Sequence, residues 1–213
     1  YSCISKRAKT VDIKYRLPSQ GPVAHLVIDA TGLKVYGEGE WKIRKHGKEK
    51  RRVWRKLHLA VDATTHAVIA AEVSLETVAD NEVLPTLLNP LRRKIKQVSA
   101  DGAYDTKACH ALLKKKGAKA TIPPRKNAAP WEEDHPRNEA VTALKAGELK
   151  QWKKDSGYHQ RSIAETAMYR FKQLIGPTLS LRNYSAQVGE ILAGVKVMNK
   201  LIGLGMPVRQ PVN

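Results

Sequence analysis

The sequence predicts a mixed α/β fold in which one sheet is flanked by helices. Three apolar segments of strand length come first, and a helix, a strand, a second helix and a further strand follow them. Consecutive strands favour antiparallel pairing, whereas strands separated by helices favour parallel pairing. We therefore expect three antiparallel strands and then two parallel ones. The 213 residues suffice for one domain with a substantial core.

The first three strands are predicted at residues 23–29, 53–62 and 67–74. The first is a buried apolar run that ends at Asp29. The second and third are joined by a turn at residues 62–66. These segments predict an antiparallel meander.

The other half of the sheet is predicted from helices that alternate with short strands. Helices are expected at residues 80–92 and 105–116, and strands at residues 97–100 and 118–122. Asp80 and Asp105 are the expected N-caps, because a side-chain oxygen at that position accepts a free backbone N–H. Gly117 then ends the second helix.

The remaining segments surround this core. Residues 1–22 are a basic lead-in, which we interpret as the remnant of an upstream region, and residues 23–204 are the main domain. Within that domain, residues 124–157 are a connector with room for a short helix, and residues 205–213 are a tail. After the connector we expect two amphipathic helices, one around Glu165 and one from about residue 186 to 204.

The composition indicates a polyanionic partner. The chain has 38 Lys and Arg against 20 Asp and Glu, a formal net charge of +18, which favours nucleic acid. Between Trp41 and Lys56 there are nine Lys or Arg and one Glu. We expect this run to contact a DNA backbone, although a solvated basic surface has the same pattern. The residues of this run assigned to DNA are Lys42, Arg44, Lys45, Lys48, Lys50, Arg51 and Arg52.

Motifs of several other protein classes are missing. Cys3 and Cys109 form no C-x-x-C pair and have no zinc-site spacing. No glycine-rich loop leads into Lys-Ser or Lys-Thr, which argues against a nucleotide cofactor. No apolar run approaches the roughly 20 residues that a membrane-spanning helix needs. We expect a protein of a reducing intracellular compartment.

The stretch from Tyr158 to Lys172 carries a charged stripe on one face of a predicted helix. At about 100° per residue, Arg161 and Glu165 join Tyr158 and Lys172 in a stripe roughly 60° wide. The opposite face is apolar and consists of Ile163, Ala167, Phe171 and Leu174. A carboxylate held among cations suggests a metal ion beside phosphate groups.

This Tyr-x2-Arg-x3-Glu-x6-Lys spacing resembles the Y-R-E-K pattern of DDE transposases from bacterial insertion sequences. The resemblance implies a ribonuclease H-like fold, in which the Glu completes a triad with two aspartates from strand ends. Asp29 and Asp101 follow apolar strands in the required order, so the implied catalytic and metal-binding residues are Asp29, Asp101 and Glu165. Such a triad suits two Mg²⁺ or Mn²⁺ ions. The residues that the resemblance assigns to DNA phosphates are Tyr158, Arg161 and Lys172.

Each acid also has an ordinary structural interpretation. Asp29 and Asp62 end predicted strands, where Asp is common in turns, and Asp62 is the weaker candidate because it lies in a hairpin turn. Asp105 competes with Asp101, but its position before a helix favours an N-cap. Glu165 alone would be a solvated residue that pairs with the arginine four positions before it.

The expected function is metal-dependent cleavage of DNA at the ends of an insertion sequence, followed by strand transfer. The resemblance implies double-stranded DNA as partner, both as transposon ends and as target, a dimer on that DNA, and the nucleoid of the bacterial cytoplasm as location. Two alternatives stay open. One is a ribonuclease H-like structure-specific nuclease, and the other is a non-catalytic DNA-binding remnant of a transposase.

Overall fold

A mixed sheet lies at the centre of the fold. The computed structural model describes residues 21–35 and 53–205 together with Cys3, Lys6, Arg7 and Thr10. Its main strands are β1 (Val23–Val35), β2 (Trp54–Asp62), β3 (Val68–Leu75), β4 (Ile95–Ser99) and β5 (Lys119–Thr121), in the spatial order β3-β2-β1-β4-β5. β2 pairs antiparallel with both β1 and β3. On the other side of β1, β4 pairs in parallel with β1, and β5 pairs in parallel with β4. The predicted mixed sheet, with three antiparallel strands followed by two parallel ones, is confirmed.

β1 is longer than the apolar run that predicted it. We expected the strand to end at Asp29, but it continues to Val35 because its pairing with β2 extends as far as Lys34 opposite Trp54. On its other side, pairing with β4 ends at Val27 opposite Ser99. Asp29 therefore lies inside β1, at the level where its parallel neighbour ends.

Helices cover both faces of the sheet. They are α1 (Asp80–Leu88), α2 (Lys107–Lys115), α3 (Arg137–Lys145), α4 (Leu149–Asp155), α5 (Ser162–Leu174) and α6 (Tyr184–Gly203). α1 and α2 pack on the face that contains Leu26 and Ile28. α5 and α6 pack on the opposite face, which contains Val27. The alternation along β1 follows from the two-residue period of a strand.

Both predicted aspartate caps are wrong. Thr106 caps α2 by accepting the N–H of Cys109, which frees the preceding Asp105 for another contact. Asp80 is the first residue of α1, after Ala79, and its carboxylate pairs with Lys56 at 2.9 Å. α1 also ends at Leu88, earlier than expected, because Pro90 has no N–H to continue the helical hydrogen bonds.

The predicted helix from Tyr158 is divided in two. A 3₁₀ turn spans Tyr158–Arg161, and α5 begins at Ser162. The apolar stripe is therefore rotated from the prediction, which assumed one continuous helix. Its buried members are Ala164, Ala167, Met168 and Phe171, whereas Ile163 is half-buried and Leu174 is 54% exposed.

The connector and the segment after α5 contain more regular structure than expected. The connector holds two helices, α3 and α4, where we anticipated one at most. A two-residue strand, β6 (Thr178–Leu179), pairs in parallel with the far end of β1. Across the residues described, no helix has the length and apolar character needed to cross a membrane.

Candidate active site

Strand register places Asp29 next to Asp101. β1 and β4 run parallel, with Leu26 opposite Val98 and Val27 opposite Ser99. Counted on from this last pair, Asp29 within β1 and Asp101 after β4 are each two residues further along the chain. Each carboxylate is held locally, since Asp29 Oδ1 accepts the N–H of Ala30 and Asp101 Oδ1 accepts the N–H of Ala103, both at 2.9 Å. The two aspartates therefore lie near the C-terminal end of β4, Asp29 within the neighbouring strand β1 and Asp101 two residues beyond β4 itself.

Arg161 joins Asp29 to Glu165. Its Nη1 donates to Asp29 Oδ2 at 3.0 Å, and its Nη2 donates to Glu165 Oε1. The side chains of Arg161 and Asp29 are 20% and 17% exposed, whereas that of Glu165 is 53% exposed. The 3₁₀ turn brings Arg161 next to Asp29 in the middle of β1, and Glu165 follows one turn later on α5. Residues 132 positions apart thus meet through one guanidinium group.

The electrostatics of Asp29 indicate that the three acids are close together. Burial raises the pKa of Asp29, while the N–H of Ala30 and the charge of Arg161 lower it. The negative charges of Asp101 and Glu165 raise it again, and the net pKa is above its usual value. Both of the other predicted acids therefore act on the same carboxyl group.

Tyr158 borders the same site. Burial raises the pKa of its hydroxyl, as do the nearby charges of Asp101 and Asp29, whereas Arg161 lowers it. The Arg161 guanidinium lies 5.9 Å from the centre of the Tyr158 ring, and the Lys153 ammonium lies 5.3 Å from it. Tyr158 is therefore a protonated hydroxyl beside the acids at neutral pH.

Of the other residues predicted to contact DNA, Lys172 is the one that lies among the described residues. Lys172 is half-buried on α5, seven residues beyond Glu165 and so about 10 Å further along the helix axis. Its role stays a prediction. The basic residues Lys42, Arg44, Lys45, Lys48, Lys50, Arg51 and Arg52 lie outside the described residues.

Asp62 and Asp105 have structural contacts away from the acids. Asp62 Oδ1 accepts the N–H of Thr64 at 2.9 Å in the β2–β3 turn, and the register sets Asp62 opposite Leu26. Asp105 is buried and forms two hydrogen bonds with Arg137, at 2.5 and 2.6 Å. Burial raises the pKa of Asp105, but hydrogen bonds from Arg137 and His110 lower it far below its usual value.

The donor chemistry of the three acids fits a hard divalent cation, because carboxylate oxygens are the ligands that Mg²⁺ and Mn²⁺ prefer. Burial raises the pKa of Asp29, the charges of Asp101 and Glu165 add a smaller rise, and a cation bound beside these acids would favour the charged carboxylate. Among the residues that the structure describes, no three His, Cys, Asp or Glu side chains already form a compact metal cluster. Arg161 occupies one oxygen each of Asp29 and Glu165.

Comparison with known proteins gives two findings. A family model described as the transposase DDE domain matches residues 22–199, a span that includes all three acids. The chain is also similar to the cryo-EM structure of the piggyBac transposase synaptic complex with hairpin DNA, at 13% sequence identity and a TM-score of 0.48. That similarity covers 85% of this chain and 47% of the other, so the chain spans about half the length of that protein.

Proposed function

The chain belongs to the transposase DDE domain family, and from that premise we propose that it cleaves DNA at the ends of an insertion sequence and joins them to target DNA. The observation that carries the proposal is the pair of hydrogen bonds by which Arg161 links Asp29 to Glu165. The inclusion of Asp101 is supported by its place just after β4, the parallel neighbour of β1, and by the effect of its charge on the pKa of Asp29. In this proposal, Asp29, Asp101 and Glu165 are the catalytic residues.

The same three acids are the proposed ligands of two Mg²⁺ or Mn²⁺ ions. When bound, a metal pair of this kind activates the attacking oxygen and stabilises the leaving oxygen of a phosphodiester. The chain itself supplies three carboxylates, one from β1, one from the segment just after β4 and one from α5. Arg161 offsets part of the charge of Asp29 and Glu165, because its one guanidinium group donates to both.

Arg161 and Tyr158 are proposed to hold the DNA backbone. A guanidinium group has five N–H donors, so the contacts of Arg161 with the two acids leave donors for a phosphate. Burial raises the pKa of Tyr158, with Asp101 and Asp29 adding to the effect, so its hydroxyl keeps a proton that it can donate to a phosphate oxygen. Such contacts position DNA without reading its sequence. Lys172 is a third phosphate contact in this proposal.

Double-stranded DNA is the proposed partner, as element ends and as target. The net charge of +18 supports this assignment, because each phosphate neutralised by a lysine or arginine releases counterions. In this proposal the basic run before β2 contacts the DNA backbone, and two copies of the chain act together on DNA.

The test compares single variants of the acids in a cleavage and joining assay with Mg²⁺. Asp29→Asn, Asp101→Asn and Glu165→Gln keep the size of each side chain but remove its charge. We expect each to lower nicking and joining by more than about a hundredfold, since even changes to outer-shell partners of a metal site cost 10–100-fold. Binding of the same DNA should change by less than about twofold, because phosphate contacts by lysine and arginine dominate affinity.

Asp62→Asn is the matched control, since it alters an aspartate at the end of β2 whose oxygen serves the turn. It should retain cleavage. An acid variant that cleaves at the control rate would reject the role of that acid. Cleavage by the unaltered protein without any joined product would favour the nuclease, and DNA binding without cleavage would favour the non-catalytic remnant.

A further inference from the structure

A layer of polar side chains lies on the sheet behind the acids. His25 and Gln97 face each other across β1 and β4 in the parallel register. Because alternate residues of a strand share a face, His25 lies on the face of Asp29, and Gln97 and Ser99 lie on the face of Asp101. The face is the one that α5 covers, since Val27 between His25 and Asp29 belongs to the α5 side of the core.

Gln97 contacts the chain immediately before the turn that carries Tyr158 and Arg161. Its side-chain N–H group donates to the carbonyl of Ser156 and to Thr121 Oγ1, both at 2.8 Å. Ser156 ends α4, and Gly157 then adopts φ 70°, a left-handed conformation that glycine tolerates best. Gln97 therefore links Ser156, the residue just after α4, to the sheet close to the point where the chain changes direction.

His25 adds a second contact with the same turn. Its Nε2 lies 2.7 Å from Ser99 Oγ, and its ring also interacts with the side chain of Gln160. The turn is a 3₁₀ helix of four residues, and such helices have weak internal hydrogen bonds. The position of the turn over β1 therefore depends on contacts with the rest of the protein. Gln97 contacts Ser156 before the turn, and His25 interacts with Gln160 within it.

We propose that Gln97 is a positioning residue for the acid site. By holding the Ser156 carbonyl, it sets the position of the 3₁₀ turn, and so the position from which Arg161 reaches Asp29 and Tyr158 borders it. This inference rests on the proposed function, because positioning the turn matters for catalysis only if the site cleaves DNA. The contact itself can be tested without any catalytic assay.

The test compares Gln97→Leu with Thr121→Val. The first variant removes both hydrogen bonds of the Gln97 carboxamide, whereas the second removes only the contact with buried Thr121 and keeps the one with Ser156. Hydrogen exchange is measured at the amides of Gln160 and Ser162, which donate to carbonyls within the turn. We expect exchange about tenfold faster in Gln97→Leu, the equivalent of one lost hydrogen bond, and unchanged in Thr121→Val.

Nicking kinetics provide the second readout. Gln97→Leu should lower the rate constant for nicking of bound DNA by about tenfold and leave DNA affinity within about twofold. The loss should be smaller in an Arg161→Lys/Tyr158→Phe background, because Gln97 acts through the turn that carries both residues. A loss of the same size in both backgrounds would overturn the positioning role, since it would reflect general destabilisation.

The outcomes of these experiments distinguish a failure of the positioning role of Gln97 from a failure of the proposed DNA cleavage. Unchanged amide exchange in Gln97→Leu, or faster exchange with an unaltered nicking rate, would overturn the positioning role alone. An unaltered protein that binds but never cleaves DNA would overturn the proposed function, whatever the amides do. If Gln97→Leu lowers the melting temperature, Gln97→Met replaces it, because it keeps the length of the glutamine side chain and removes its donor.

Discussion

Arg161 is the residue on which the arrangement of the acids depends. Its planar guanidinium group reaches Asp29 on β1 and Glu165 on α5 at once, which a lysine, with one ammonium group, would do less well. Burial lowers the pKa of Arg161, but Tyr158 and the neighbouring acids raise it, and the net pKa is above the usual value. The residue is therefore a permanent cation at the centre of the site.

His58 gives the fold a dependence on pH that a single substitution can isolate. The residue is fully buried, and its Nε2 contacts Ser74 Oγ at 2.9 Å. Burial lowers its pKa from 6.5 to about 4, an effect that Asp80 opposes and Lys56 reinforces. Between these two pH values His58 is protonated in the unfolded chain and neutral in the folded protein. The contribution of neutral His58 to stability is therefore fully present above about pH 6.5 and is lost as the pH falls towards 4.

We expect the free energy of unfolding to fall by up to about 1.4 kcal/mol per pH unit in this window through His58 alone. The measurement is urea unfolding at pH 7.5 and pH 5.0 for the unaltered protein and for His58→Gln, which can still hydrogen-bond to Ser74. The unaltered protein should lose about 2 kcal/mol more than the variant. Equal losses in the two proteins would mean that His58 is not the group responsible.

The elements with a clear repeating pattern were predictable from sequence. β2 and β3 were found because their apolar runs are bounded by a turn, and α2 because Gly117 ends it at φ 65°. β6 was missed because two residues have no period, and only pairing with β1 makes them a strand. Likewise β1 continues past Asp29 because β2 supplies hydrogen bonds, which no local pattern records.

The candidate site shows the same division. Spacing identified Tyr158, Arg161 and Glu165, since they lie within eight consecutive residues. It did not reveal that Arg161 contacts Asp29, because that contact joins residues 132 positions apart. Gln97 was also missed, because a lone glutamine in a short strand has no pattern of its own. Only the register of β4 against β1 and the position of α4 give it a role.

A buried ion pair attaches the connector, through its helix α3, to the segment before α2. We predict that this pair makes a large contribution to stability. Asp105, before α2, accepts two hydrogen bonds from Arg137 at the start of α3, and Trp131 lies 4.0 Å from the guanidinium. Arg137→Met would leave the Asp105 carboxylate buried without its cation. We expect the free energy of unfolding to fall by about 3–5 kcal/mol, as measured by urea denaturation.

Lys107→Ala is the matched control for this prediction. It removes a second ion pair between α2 and the connector, that of Lys107 with Glu132, but both side chains are largely exposed. Its effect on stability should be much smaller, since exposed pairs are solvated and screened. Comparable losses in the two variants would contradict the view that burial of the Asp105–Arg137 pair determines the attachment.

At the scale of the whole molecule, the positive charge is divided between lysines with structural contacts and a basic run of proposed DNA contacts. Lys56 donates to the carbonyl of Val78 and to Asp80, and Lys116 donates to the carbonyl of Leu91. Lys114 and Lys115 lie in the last turn of α2, where they complement the helix dipole. Some of the 38 Lys and Arg are therefore engaged in contacts within the fold.

Salt dependence can separate these two groups, because the slope of log affinity against log salt is about −0.9 for each phosphate contact. Arg51→Gln/Arg52→Gln removes two charges from the basic run, and Lys114→Gln/Lys115→Gln removes two from the end of α2. The first double variant should make the slope shallower by about 1.8, whereas the second should leave it unchanged. Fluorescence anisotropy with duplex DNA over a range of NaCl concentrations measures both slopes. Equal changes would mean that DNA senses only the net charge of the chain, and the basic run would lose its assigned role as a contact surface.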